Sequence, residues 1–190
     1  MKFLKYRILD LRLIYAIIFI NLCVYLYEFF LLSADSSLEF SIIYGLNVYF
    51  FEGFYWQIFT NMFLHGNFTH IFMNMAALFQ LGIMIQRLFL LNSLGFLLLY
   101  ILGGTLTSIL SLSYLFINPN VNLVGASGAI CVLIGFLIYY DKINQKPLFI
   151  ALLLFSLIPP IIGMNVAWYA HLFGALVGFI FAFLHRKFIV

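Results

Sequence analysis

An all-α membrane protein with six spanning helices is the fold class this sequence predicts, and three observations predict it. The first is composition. Of 190 residues, 66% are hydrophobic and 8% charged, and the mean hydropathy is +1.15. Soluble domains average about 45–50% apolar and ~25% charged residues. An ordinary soluble domain, a disordered chain and a nucleic-acid binder are therefore excluded, and the surrounding medium is the lipid bilayer. The second is that the apolar residues fall into six segments, about 13–32, 68–88, 93–112, 127–140, 147–162 and 166–185, in one domain over 1–190. The third is charge sorting. All nine basic residues (Lys2, Lys5, Arg7, Arg12, Arg87, Lys142, Lys146, Arg186 and Lys187) fall on one side of a six-span arrangement. By the positive-inside rule that side is cytoplasmic, and so are both termini. Five or seven spans would spoil the sorting.

The segments follow in order. Span one carries Glu28 near its far end, and no small-residue cleavage site follows it, so it reads as a retained span. The outer loop 33–67 carries Asp35, Glu39 and Glu52 and is dense in aromatics, among them Phe40, Tyr44, Tyr49, Phe50, Phe51, Phe54, Tyr55 and Trp56. It reads either as an aromatic belt at the headgroups or as a structure partly sunk into the outer leaflet. Span two ends near Arg87, and span three, ending near Leu112, is followed by the polar cluster Ile117-Asn118-Pro119-Asn120. Span four has about 14 residues, roughly 21 Å at 1.5 Å per residue, against a hydrocarbon core of about 30 Å. It should start below the surface, with loop 113–126 dipping in to meet it. Irregular backbone at that depth requires protein around it or a wet cavity. Lys142 and Lys146 join spans four and five, and Arg186 and Lys187 follow span six. Cys23 and Cys131 lie in apolar stretches, where they form neither a disulfide framework nor a metal pair.

Ionisable residues inside spans are costly and suggest function. His185 sits among interfacial cations at a helix end, and its position explains it. His70 and Asn74 are four apart and share a helix face in the outer half of span two. A helix–helix hydrogen bond would account for them as well as chemistry would. His65, in Leu64-His65-Gly66-Asn67, suits a loop-stabilising hydrogen bond. His65 and His70 lie about 140° apart around a helix with no glutamate following, which is poor zinc geometry. Gly125-Ala126-Ser127-Gly128 opens span four. A serine between glycines at a loop-to-helix junction is accessible and close to free N–H groups, as a nucleophile with an oxyanion site requires. On span six, His171, Gly174 and Gly178 share one face. On span four, Ser127, Cys131 and Gly135 share another, also of small residues. Pressing the two faces together would bring His171 towards Ser127, the contact a Ser–His dyad needs.

Taken together, His65-x4-His70-x3-Asn74, Gly125-Ala126-Ser127-Gly128 and Ala170-His171-x2-Gly174-x3-Gly178 resemble the rhomboid intramembrane serine proteases, in order, spacing and six-span frame. The resemblance covers essentially the whole chain from span one to span six. It implies a six-helix bundle with a hydrophilic cavity open to the outside. It implies Ser127 as nucleophile and His171 as general base, without metal or cofactor. It also implies an oxyanion hole from His70, Asn74 and the Ser127 backbone N–H, and structural roles for His65, Gly125, Gly128, Gly174 and Gly178. The implied substrates are transmembrane proteins, cut in or near their membrane segments. Three positions depart from the family pattern. Trp56-Gln57 stands where Trp-Arg is frequent. Span two ends Gly82-Ile83-Met84-Ile85-Gln86-Arg87-Leu88-Phe89, without the usual acidic residue and glycine. Cys131 stands where an aromatic often packs on the histidine ring, so His171 must be oriented by other contacts.

Two rival readings are a non-catalytic relative that binds clients, and a transporter. The first typically lacks the serine or the histidine, and both are here. The second needs polar positions through the inner half of the membrane, where spans two, four and six offer few. With no organellar presequence evident, a bacterial inner membrane is the expected location.

Overall fold

A computed structural model describes residues 10–88, 91–161 and 166–188. Lys2, Lys5, Arg7, Phe89 and the outer turn 163–165 lie outside the described residues. Among those described there is no strand, only one isolated bridge between Leu46 and Leu123. Eight α-helices follow one another among the described residues. They are α1 (Arg12–Leu31), α2 (Ala34–Tyr44), α3 (Gln57–Thr60), α4 (Phe68–Arg87), α5 (Ser93–Leu115), α6 (Ser127–Tyr140), α7 (Gln145–Ile161) and α8 (Trp168–Phe188). Helices α1, α4, α5 and α8 are long and apolar enough to cross a membrane, while α6 and α7 are shorter apolar helices of 14 and 17 residues. The outer surface of the long helices is predominantly apolar, with Phe19, Phe30, Phe72, Leu98 and Phe183 all exposed. An exposed apolar belt of that extent fits lipid rather than water, and the protein is an integral membrane protein.

Helix α6 is the hub and touches α4, α5, α7 and α8. Ala129, Ile130, Cys131, Val132, Leu133, Gly135, Phe136 and Leu137 are all buried, so this helix is enclosed on nearly every side. Its neighbours come close because their facing residues are small. Gly103 and Gly104 of α5 lie against Val132 and Ala129. Across the α6–α8 seam, a Cβ on Gly135 would collide with the Ala175 carbonyl, on Gly174 with the Gly128 carbonyl, and on Gly178 with the Val132 carbonyl. Lipid offers no hydrophobic drive between helices, so such backbone-to-backbone packing carries the association.

The aromatic segment 33–67 is folded, not a plain loop. Helix α2 is capped by Ser33, whose Oγ accepts from the Ser36 N–H at 3.3 Å. At its other end Ser41 O still accepts the Gly45 N–H at 2.8 Å, while the Ile42, Ile43 and Tyr44 carbonyls lack helical partners, as happens at a helix C-terminus. Side chains satisfy these three and reinforce the first. Asn122 Nδ2 donates to Ser41 O at 3.0 Å. Asn47 Nδ2 donates to Ile42 O at 2.8 Å, Trp56 Nε1 to Ile43 O at 3.0 Å, and Thr60 Oγ1 to Tyr44 O at 2.6 Å. Gln57, fully buried, adds bonds to Ile42 O and Ile43 O and accepts from the Asn47 N–H. This explains the departure at position 57: an amide that both donates and accepts fills a closed, neutral site.

Candidate active site

The approach to Ser127 is held by that folded segment. Leu46 and Leu123 exchange both backbone hydrogen bonds, at 2.9 and 2.8 Å. The Gly125 N–H donates to Asn61 O at 2.8 Å, and Asn61 Nδ2 in turn donates to Ser108 Oγ of α5 at 3.0 Å. Gly125 itself has φ of +119°, a conformation that side chains other than glycine rarely adopt. A methyl group there would also lie 2.7 Å from the His70 ring. Both facts leave glycine as the residue that can turn the chain into α6 at this point. The turn ends with Ser127 as the first residue of α6, after an Ala126 that provides no side-chain cap. The first N–H groups of α6 are thus uncapped by any side chain, at the positive end of a helix.

Helix α4 brings the next groups. Asn67 caps it, accepting from the His70 N–H at 2.9 Å. His70 is partly buried and lies with Asn74 against Gly125. Asn74 Nδ2 is buried without a hydrogen-bond partner. An unpaired buried donor costs about 1–3 kcal/mol, so its presence beside an accessible serine needs a reason. His65 is 2% exposed and meets the His70 ring edge to face at 5.1 Å. Burial first, and the neighbouring His70 second, pull His65 down to about 3. It is therefore neutral at ordinary pH.

From α8, in its first turn, comes His171, 5% exposed. Its Nε2 lies 3.0 Å from Ser127 Oγ. The seam glycines make this contact possible, because they let α8 approach α6 to backbone distance. The other ring nitrogen, Nδ1, lies 3.4 Å from Ser156 Oγ of α7. Ser156 was not singled out from the sequence. Cys131, one turn after Ser127, packs with Leu152 of α7 and Ala175 of α8.

Residues 52–188 match the Rhomboid domain family. The chain is 32% identical over 167 residues to the Putative rhomboid protease YdcA of Bacillus subtilis, covering 84% of this chain and 82% of that protein. The chain belongs to the rhomboid family. It is also 27% identical to rhomboid protease GlpG of Haemophilus influenzae, over 70% of each chain. To RHOMBOID-like protein 4 of Arabidopsis thaliana it is 33% identical, but there it spans only 33% of the relative's length. The family match begins at residue 52, inside the folded outer segment, and takes in every residue of the cluster around Ser127.

Proposed function

We propose that this rhomboid protein is an intramembrane serine endopeptidase in which Ser127 is the nucleophile and His171 the general base. The observation that carries the reading is the 3.0 Å contact between His171 Nε2 and Ser127 Oγ. Neutral His171 takes the hydroxyl proton as Ser127 Oγ attacks the scissile carbonyl carbon. The carbonyl oxygen becomes an oxyanion, received by the Ser127 N–H, Asn74 Nδ2 and His70. His171 then passes its proton to the leaving amine, and an ester to Ser127 remains. Water, giving its proton to His171, splits the ester and restores the serine. No step calls for a metal or a cofactor.

The substrates are transmembrane proteins. In this reading all six apolar segments span, both termini are cytoplasmic in a bacterial inner membrane, and Ser127 lies below the outer surface in a wet cavity. A helical peptide bond is shielded there, and its carbonyl is held by the i+4 amide. It must leave the helix before attack, and cavity water satisfies the freed groups as lipid cannot. Segments with Gly, Pro or polar residues in their outer third unwind at least cost, and a small residue at the cut fits best beside Gly125, Ala126 and Gly128. Replacing Gly and Pro near the cut of a cleaved substrate with Leu should raise its helicity and suppress cleavage. Undiminished cleavage of the more helical segment would overturn the unwinding requirement.

The deciding experiment is cleavage of a transmembrane substrate by purified protein. Ser127→Ala and His171→Ala should each lose nearly all turnover while staying folded, since nucleophile and base act as one unit. A serine-directed phosphonate should label the wild type and not Ser127→Ala. Substantial turnover by Ser127→Ala would rule out the serine mechanism.

A further inference from the structure

We propose that Ser156 of α7 is a positioning residue that fixes the tautomer and ring orientation of His171. The argument rests on counting protons. Ser156 is fully buried, and its Oγ lies 2.7 Å from Leu152 O, to which it donates its only proton. A carbonyl cannot return a proton, so the hydroxyl oxygen faces His171 Nδ1, at 3.4 Å, as an acceptor. An acceptor at Nδ1 requires hydrogen on Nδ1. Neutral imidazole carries one N–H, so Nε2 is left with its lone pair directed at Ser127 Oγ, 3.0 Å away. That is the tautomer able to take the hydroxyl proton. In the opposite tautomer Nε2–H would donate to Ser127 Oγ, so that nitrogen could take no proton, and the Nδ1 lone pair would face the lone pair of Ser156 Oγ with no hydrogen between them. Leu152 O thus directs Ser156, Ser156 directs His171, and His171 directs Ser127.

The placement of this serine is also unlike that of two other buried hydroxyls that bond their own helices. Thr107 and Ser111 of α5 likewise donate to the carbonyl four residues back, but neither has a side-chain partner beyond its helix. Only two residues of α7 are buried, Leu152 and Ser156, and they are the donor's target and the acceptor in this chain of contacts.

The proposal rests on the assignment of His171 as base, so its test includes a readout that needs no turnover. With 15N-labelled histidine, NMR of the purified protein should show His171 as the Nδ1–H tautomer in the wild type and a mixture in Ser156→Ala. In cleavage assays Ser156→Ala should lower kcat roughly tenfold, a part of the ~10²–10⁴ that a positioned base supplies, with KM within about twofold of wild type. Ser156→Thr, which keeps the hydroxyl, should retain kcat, whereas Ser156→Val, of the same shape, should behave as Ser156→Ala. An unchanged His171 tautomer in Ser156→Ala, or equal kcat for the Thr and Val variants, would overturn it. If instead Ser127→Ala stays active, the serine mechanism fails, while the tautomer measurement still decides the role of Ser156.

Discussion

Two helices flank α6 near Ser127 and His171, and they are held to it in opposite ways. At the α8 seam, Gly135, Gly174 and Gly178 put backbone against backbone, and no side chain larger than hydrogen fits. Helix α7 buries only Leu152 and Ser156, while Phe149, Ile150, Leu154, Phe155, Leu157, Ile158 and Ile161 are exposed. The seam fixes the distance between Ser127 and His171 through the closest contact two helices can make. On the α7 side the same histidine is met by a single hydroxyl. Proximity is thus supplied by rigid backbone packing, and the finer choice of ring orientation by a weakly anchored neighbour.

The largest effect should come from the seam. Gly178→Leu places a side chain where the Val132 carbonyl lies. Overpacking a close-packed site costs typically 1–3 kcal/mol or more, and here relief requires parting α8 from α6. Cleavage and phosphonate labelling should both be lost. Leu154→Ala, on the exposed face of α7, should leave both nearly unchanged, as surface changes usually fall within about 0.5 kcal/mol. Equal damage from the two variants would abolish the contrast between the helices.

Next comes Asn74, where stability and activity should separate. Its Nδ2 is a buried donor without a partner, so removing it relieves a cost, and Asn74→Ala should melt no lower than wild type. Loss of one oxyanion donor typically costs about 2.7–4 kcal/mol, or ~10²–10³ in kcat. A variant that loses stability but keeps its kcat would make this α4 face structural.

His65 provides a smaller, pH-dependent effect. Burial holds it neutral in the fold, at about 3 against an ordinary 6.5. The unfolded chain therefore binds the extra proton between those values. Its contribution to stability is complete above pH ~6.5 and is lost on acidification towards 3, by at most about 1.4 kcal/mol per pH unit. Thermal melts of wild type and His65→Asn should converge as pH falls from 7 to 5. A constant gap would mean that His65 is protonated in the fold, or that a compensating group titrates beside it.

Much of this was legible because polar groups stand out in an apolar chain. Ser127, His171, His70 and Asn74 are conspicuous by type, and the seam by its glycines at helical spacing. In the structure His70 and Asn74 lie against Gly125, and His171 Nε2 lies 3.0 Å from Ser127 Oγ. The segment 33–67 was not legible as helices. Helix α2 has no buried residue, so its pattern carries no core-facing period, and α3 is four residues long. The polar residues that cap α2 come from positions 47–60 and 122, a pairing that no local pattern announces. Ser156 was invisible for another reason: a lone serine in an apolar helix ordinarily bonds its own i−4 carbonyl, which Ser156 also does. Only the position of α8 reveals its second partner.

The smallest effect concerns why α7 is the weakly anchored helix. Pro159 and Pro160 lie within it, and each lacks the N–H that would bond a carbonyl one turn earlier. The carbonyls left without those donors are those of Phe155 and Ser156, so the backbone is unstitched at the residue that faces His171. Pro159→Ala and Pro160→Ala restore one bond each, worth a net ~0.5–1.5 kcal/mol in water. Because α7 buries so little against its neighbours, the gain should appear locally and not as a large shift in Tm. Amide hydrogen exchange should slow in the outer turn of α7 and stay unchanged along α8. If the prolines instead anchor α7 by packing, both variants would exchange faster there, and the looseness of this helix would have to be ascribed to its sparse burial alone.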